Sequence, residues 1–220
     1  MRIIKNILLS FDLDNTLIDN RKGIVNSFNY ALNKFNIPEL EKTQIEYMIG
    51  IPLIEMFERV TNQDSSQLIT AFREYYSKQG IYQGSILPGV ESKLKELYKL
   101  SFTLGIITSK KQELAVKIVK ILKIKKFFDY VIGETEDTKE LGKLDPKLKT
   151  YMDKNYPEHQ IVIIGDHPKD VMLSNNLNCP FIGVLTGNHT RKELIEIKIG
   201  KIEILNSVSE LTTDLIYSLF

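Results

Sequence analysis

Apolar positions along this chain follow two patterns. Short runs that are apolar almost throughout occur at residues 7 to 12, 102 to 108, 129 to 132, 161 to 164 and 181 to 185, with a weaker sixth from Ile202 to Leu205. Their length and β-branched content predict strands buried on both faces. Between most of them, apolar residues recur every three or four positions instead. Val90, Leu94, Leu97 and Tyr98 share one face of a helix predicted over residues 88 to 100, and Leu114, Ala115, Ile118, Val119 and Leu122 share one over residues 112 to 122. Strands alternating with helices predict the α/β class, a Rossmann-like parallel sheet core flanked by helices.

One interval breaks the alternation. Roughly ninety residues without a strand signal separate the first two strands, whereas a direct crossover needs only about a dozen residues including its helix. The pattern there is helical: Ile24, Val25, Phe28, Ala31, Leu32 and Phe35 form one stripe, and Leu53, Phe57 and Val60 a second. Asp64 and Gln67 have capping-box spacing ahead of a third stripe of Leu68, Ala71, Phe72, Tyr75 and Tyr76. Residues 18 to 82 are therefore expected to form a small α-helical domain inserted into a core built from residues 1 to 17 and 83 to 220. The hinges are expected near Ile18 to Lys22 and Gln79 to Pro88.

Composition narrows the choice of partner. At 220 residues, with 43% hydrophobic and 26% charged residues and a net charge of +1, the chain has no basic excess, so no nucleic-acid partner is expected. No stretch approaches the roughly 20 apolar residues of a membrane span. The opening MRIIKNILLSFD is interrupted by Asp12 before a signal-peptide core forms. No membrane association, a cytoplasmic location and a monomer or homodimer are expected. The single Cys179 permits no internal disulfide and is expected to be a buried structural thiol.

Chemistry concentrates where the predicted strands end, which in open parallel sheets is where ligands bind. The first strand ends in FDLDNTLID, placing Asp12 and Asp14 on the same side of the backbone. Moving such carboxylates out of water costs about several kcal/mol each unless they are paired or bind a cation. The second strand ends in Thr108-Ser109-Lys110 and the fourth in Gly165-Asp166, with Asp170 one helical turn on; Gly142-Lys143-Leu144-Asp145-Pro146 precedes the fourth. Aspartate oxygens suit Mg²⁺, which shares its shell with water and substrate phosphate. A carboxylate can attack phosphorus, a second can carry protons, and a lysine can stabilise the charged transition state.

Each residue also has a plainer reading. A lone D-x-D at a strand end can be a turn or a helix N-cap, and Thr108-Ser109 can cap the following helix. Asp170 can simply complement the dipole of a helix beginning at Pro168. His159, His167 and His189 lack metal-ligand spacing, although His167 follows Asp166 directly.

Taken in order, FDLDNTLID, ITSK, Lys143-Leu144-Asp145-Pro146 and IGDHPKD resemble the four motifs of the haloacid-dehalogenase-like superfamily. The segments IVNSFNYALNKFNI, IGIPL and LPGV, with the tail KIEILNSVSELTTDLI, resemble its phosphoglycolate-phosphatase-like branch, which has a helical cap. The resemblance implies Asp12 as nucleophile, Asp14 as general acid/base with its backbone carbonyl on Mg²⁺, and Asp166 as the third metal ligand. It implies phosphate binding by Thr108, the backbone around Ser109, and Lys143, which bridges phosphate and Asp12. Asp170 would orient the metal's water shell, and Thr16 would support the first loop. Substrate choice would fall to cap residues such as Asn20, Ile24, Ile49, Gly50 and Leu53. Three positions depart from the pattern: Asn15 stands where glycine is common, Ser109 where asparagine is, and Leu144 where proline is.

The activity implied is a Mg²⁺-dependent phosphatase acting on a small phosphorylated metabolite, phosphoglycolate favoured, through an aspartyl-phosphate. Nucleotidase, pyrophosphatase and β-phosphoglucomutase-like activities are the alternatives within the superfamily. No histidine follows Asp19 in the first cap helix, which lowers the mutase reading. A dehalogenase has no use for Asp14. A non-catalytic binding protein on the same fold is the alternative from another class.

Overall fold

The computed structural model describes residues 6 to 135 and 142 to 220. The expected strands are present as β1 (Ile7–Phe11), β4 (Thr103–Lys111), β5 (Tyr130–Glu134), β6 (Gln160–Gly165), β7 (Phe181–Val184) and β8 (Ile202–Leu205), in a chain that also carries two short strands, β2 (Ile18–Asp19) and β3 (Ser85–Ile86). Four helices separate β2 from β3: α1 (Arg21–Lys34), α2 (Lys42–Met48), α3 (Leu53–Glu58) and α4 (Ser65–Lys78). Among the described residues six more lie beyond β3: α5 (Val90–Lys99), α6 (Gln112–Ile121), α7 (Pro146–Asn155), α8 (Pro168–Asn176), α9 (Arg191–Ile197) and α10 (Thr213–Ser218).

The six longer strands form one parallel sheet in the order β5-β4-β1-β6-β7-β8. Every residue of β1 is buried, as a central strand covered on both faces requires. The chain leaves β1 toward β4 on one side and later returns to β6 on the other, so the strand order reverses at β1. That reversal opens a crevice at the carboxyl ends of the strands.

One row of the sheet shows how closely it is packed. Ser10, Gly105 and Tyr130 are in register on β1, β4 and β5. A Cβ on Gly105 would lie 2.0 Å from the Tyr130 ring. Because Gly105 has none, the ring crosses β4 and its hydroxyl hydrogen-bonds to Ser10. Around this row lie Leu8, Ile107, Ile163, Leu148, Met152, Val171 and Phe181, all at most 1% exposed. Cys179 belongs to the same core, and burial pushes its thiol up to about 12.

The chain forms two compact units, which exchange at Ile18/Asp19 and Ser85/Ile86. The Asp19–Ser85 unit is helical apart from its ends, and its last residue lies three positions beyond the boundary expected at residue 82. Phe28 and Phe57 stack at its centre, with ring centroids 4.3 Å apart. Asp64 caps α4 by accepting from Ser66 N at 2.9 Å; Gln67 reaches the Asp64 side chain instead of closing a reciprocal capping box. A Cβ on Gly23 of α1 would sit 2.2 Å from the Gly80 carbonyl oxygen, so the glycine permits a backbone contact inside this unit.

Two local expectations change. Tyr98 is 55% exposed rather than part of the buried face of α5, which packs through Val90, Leu94 and Leu97. The second long strand continues past Thr108 to Lys111, with a register shift between Ile107 and Lys111. Thr108 and Ser109 are consequently strand residues, and Lys111 occupies the N-cap of α6. Gly133 permits the irregularity, since a Cβ there would lie 2.5 Å from the Lys110 carbonyl oxygen.

Candidate active site

Asp12 stands at the reversal point. Its N–H donates to Ile164 O at 2.8 Å, continuing the β1–β6 ladder by one residue and fixing the side chain at the mouth of the crevice. Beyond it the chain turns tightly. Leu17 N and Ile18 N both donate to Leu13 O, at 3.0 and 3.1 Å, and Asn15 N donates to Ile18 O at 2.8 Å. Asn15 adopts φ 58°, a left-handed conformation that asparagine tolerates better than most residues, which accounts for its standing in a glycine position. The Thr186 hydroxyl donates to the Asn15 carbonyl. Leu13 and Leu17 are fully buried, so this turn is anchored through apolar side chains while its polar ones stay at the site.

The fold assembles a charged cluster around Asp12. Lys143 Nζ lies 2.5 Å from Asp12 Oδ1 and 2.6 Å from Asp170 Oδ1. Carboxylate oxygens of Asp12, Asp166 and Asp170 lie within 4.8 Å of one another. Thr16 donates from Oγ1 to Asp166 Oδ1 at 2.7 Å, so its bond goes to a carboxylate of the fourth motif rather than within its own loop. Asp14 is directed elsewhere, with Lys110 Nζ 3.0 Å from its Oδ2. The carboxylates in the cluster are thus those of Asp12, Asp166 and Asp170.

Backbone geometry at α8 brings Asp170 inward. His167 is the N-cap: its Nδ1 accepts from Lys169 N at 3.0 Å, while its own N–H donates to Asp170 Oδ2 at 3.1 Å. Gly165 makes room, because a Cβ there would be 2.3 Å from the same Asp170 oxygen. Gly187 does the same for Asp166, whose Oδ2 would lie 1.9 Å from a Cβ at that position. Neither glycine, nor Lys110 beside the hydroxyl pair, is marked as a site residue by the four motifs. Lys110 carries the clearest signal of these, a cation immediately after the hydroxyls at a strand end.

The electrostatics are unbalanced. Burial, then the neighbouring Asp12 and Asp170, pushes the Asp166 carboxyl well above the usual carboxylate range. Burial also raises Asp170 against the opposing pull of Lys143. Burial works against the Lys143 ammonium, but Asp12 and Asp170 outweigh it and hold the lysine charged. Burial raises Asp14, with Lys110 opposing. His167 is lowered to about 4 by burial, with His189, Lys143 and Lys169 acting in the same direction and Asp12 opposing. One lysine can balance only one of these three carboxylates, so ionising the others calls for further positive charge. Such a set of hard oxygen donors suits a divalent cation.

Thr108 is 2% exposed, and its Oγ1 accepts from Lys110 N at 3.2 Å. Ser109, Lys143, Leu144, Asp145 and Lys169 are among the residues that line a cavity of about 490 Å³. The five residues expected to set specificity belong to the helical unit. Asn20 is buried at the start of α1 and donates to the Tyr76 hydroxyl at 3.4 Å. Ile24 and Leu53 pack partly against that unit's own core. Ile49 pairs with Ile51 around Gly50, whose φ is 115°.

The profile of haloacid dehalogenase-like hydrolases matches residues 9 to 184, a range that holds all of the clustered carboxylates, Lys143, Thr108 and the intervening helical unit. The chain belongs to this family. Tyrosine-protein kinase PtkA of Mycobacterium tuberculosis is 29% identical over 165 residues. That match covers 74% of this chain but only 57% of the relative, so this family member spans little more than half of PtkA's length. A 5'-nucleotidase of Pseudomonas aeruginosa is 28% identical over 192 residues, 86% of each chain. Among solved structures, a haloacid dehalogenase-like hydrolase of Streptococcus pneumoniae superposes with a TM-score of 0.81 at 25% identity, covering 97% of this chain and 98% of the other. The α/β fold class read from the apolar pattern and the family read from the four motifs are therefore those of this chain. Among the described residues, no helix is long and apolar enough to cross a membrane.

Proposed function

We propose that this protein is a Mg²⁺-dependent phosphatase that hydrolyses a small phosphomonoester through an aspartyl-phosphate on Asp12, with phosphoglycolate the favoured substrate. The observation that carries the reading is the placement of Lys143 Nζ 2.5 Å from Asp12 Oδ1, beside the clustered carboxyl groups of Asp166 and Asp170. A lysine so placed offsets the repulsion between Asp12 and an incoming phosphate and stabilises charge that develops on the transferring group.

Asp12, the Asp14 backbone carbonyl and Asp166 would hold the metal, and Asp170 would orient its water shell. Mg²⁺, when bound, supplies the positive charge that lets a phosphate dianion approach a carboxylate. The remaining steps belong to the chain. Thr108 and the backbone around Ser109 hold the phosphoryl oxygens. An Asp12 oxygen attacks phosphorus as the ester P–O bond breaks, and the Asp14 carboxylic acid gives its proton to the departing oxygen. Water then attacks the aspartyl-phosphate, Asp14 takes the water's proton, and phosphate leaves with Asp12 restored. Choice among phosphomonoesters is assigned to the helical unit, through Asn20, Ile24, Ile49, Gly50 and Leu53.

The test is a panel of phosphoglycolate, nucleotides, pyrophosphate and hexose phosphates, each with and without Mg²⁺. Turnover that needs Mg²⁺ and disappears in Asp12→Asn supports the reading. Full activity of Asp12→Asn with Mg²⁺ would exclude the mechanism, and conversion of β-glucose 1-phosphate to glucose 6-phosphate would replace hydrolysis with a mutase reaction.

A further inference from the structure

The turn after β1 carries two carboxylates, and each has its own lysine. Lys143 serves Asp12 and is shared with Asp170; Lys110 Nζ lies 3.0 Å from Asp14 Oδ2. The Lys110 side chain is 10% exposed and that of Asp14 26%, so this pair is not a solvated surface contact. Placing Lys110 there takes deliberate backbone geometry. β4 runs three residues beyond Thr108 through a register shift, and Gly133 leaves space for the Lys110 carbonyl. The backbone around Asp14 is already fixed by the hydrogen bonds from Asn15, Leu17 and Ile18 and by the bridge between Asp14 and Ile18. The freedom left to Asp14 is its side-chain rotation, which Lys110 Nζ restrains by donating to Oδ2 at 3.0 Å, a contact that leaves Oδ1 able to carry a proton.

We propose that Lys110 is a positioning residue that holds the Asp14 carboxyl where it passes a proton to the departing oxygen. The inference rests on the phosphatase reading above and adds a role that neither the motif order nor the charge balance of the Asp12 cluster requires. As Asp12 bonds to phosphorus and the ester P–O bond breaks, the electron pair of that bond goes to the leaving oxygen. The proton that makes this oxygen an alcohol comes from Asp14. A p-nitrophenolate leaves readily without that proton, whereas an alkoxide does not. Misplacing Asp14 therefore penalises alkyl phosphates far more than aryl phosphates.

The experiment measures kcat/KM, at saturating Mg²⁺, over a series running from p-nitrophenyl phosphate to alkyl monoesters. It compares wild type, Lys110→Met, Lys110→Arg, Asp14→Asn and Asp12→Asn, with thermal melts to confirm folding. General acid catalysis contributes about 10²–10⁴-fold, so Lys110→Met is expected to lose at least ~10-fold on alkyl esters and far less on p-nitrophenyl phosphate. Asp14→Asn should steepen the leaving-group dependence in the same sense, and Lys110→Arg should recover part of the loss. An equal loss across the series, a rise confined to KM, or no loss would overturn the proposal, the first two by making Lys110 a phosphate contact. Failure of the phosphatase reading itself shows separately, as turnover surviving in Asp12→Asn or absent from wild type, and would remove the role of Lys110 with it.

Discussion

Gly187 and Asp166 are in such close approach that a Cβ on the glycine would lie 1.9 Å from Asp166 Oδ2. Asp166 is held from its other side by Thr16, so its carboxylate cannot retreat without breaking a 2.7 Å hydrogen bond. Gly187→Ala is therefore expected to displace a proposed metal ligand while leaving the sheet intact. Disturbing the support of a metal site typically costs about 10–100-fold in affinity. Mg²⁺ titration of activity should show the half-saturating concentration rising by that order, with an unchanged far-UV circular dichroism spectrum.

Removing the lysine at the centre of the cluster should be worse for stability than removing a carboxylate. Lys143→Met leaves the buried Asp12 and Asp170 without their cation, and breaking a buried pair in this way costs about 3–5 kcal/mol. Urea unfolding in EDTA should show that loss. Asp170→Asn instead removes one of the crowded negative charges and should cost less. Activity should fall at least ~100-fold in Lys143→Met.

The neutral imidazole of His167 makes the fold acid-sensitive. Its folded pKa is lowered to about 4, because burial and the nearby His189, Lys143 and Lys169 disfavour the cation, whereas the unfolded value is about 6.5. The unfolded chain therefore takes the proton first. The contribution of His167 to stability is complete above pH ~6.5 and is lost as pH falls from there through about 4. Protonating Nδ1 also removes the acceptor that caps Lys169 N. Asp166 and Asp170, with raised values, shift stability in the opposite direction over acidic pH. The comparison must therefore be between wild type and His167→Asn, which keeps a capping oxygen. Unfolding free energies measured from pH 7 to 4.5 should converge, with wild type losing more.

Inside the helical unit, Gly23→Ala would force a methyl group to within 2.2 Å of the Gly80 carbonyl oxygen, a backbone atom that cannot rotate away. Overpacking of this kind costs about 1–3 kcal/mol. A lowered thermal midpoint is expected, together with increased proteolytic cleavage within residues 19 to 85. Gly84→Ala, where the nearest atom would be 3.3 Å away, should be milder by the same assays.

Sequence alone determined the elements whose signals are local. Mostly apolar runs located five of the long strands and a weaker one the sixth, three- and four-residue spacing located the main helices, and a long interval without strands marked the helical unit. Acidic and hydroxyl residues directly after those runs marked the site, because the end of a parallel strand is where a chain can leave polar groups uncovered. Only the tertiary structure decided how these residues pair. Lys143 meets Asp12 across 131 positions and Thr16 meets Asp166 across 150, contacts that exist because β1 lies between β4 and β6. The same arrangement brought Asp170 into the carboxylate cluster and gave Asp14 to Lys110. It also carried β4 past Thr108, since that extension depends on a glycine in the neighbouring strand, and it left Tyr98 more than half exposed at the edge of α5, with its ring edge-on to Phe127. Periodicity reports which face of an element is apolar; which charges share a crevice depends on strand order and backbone clearance, and these arise only when distant segments pack.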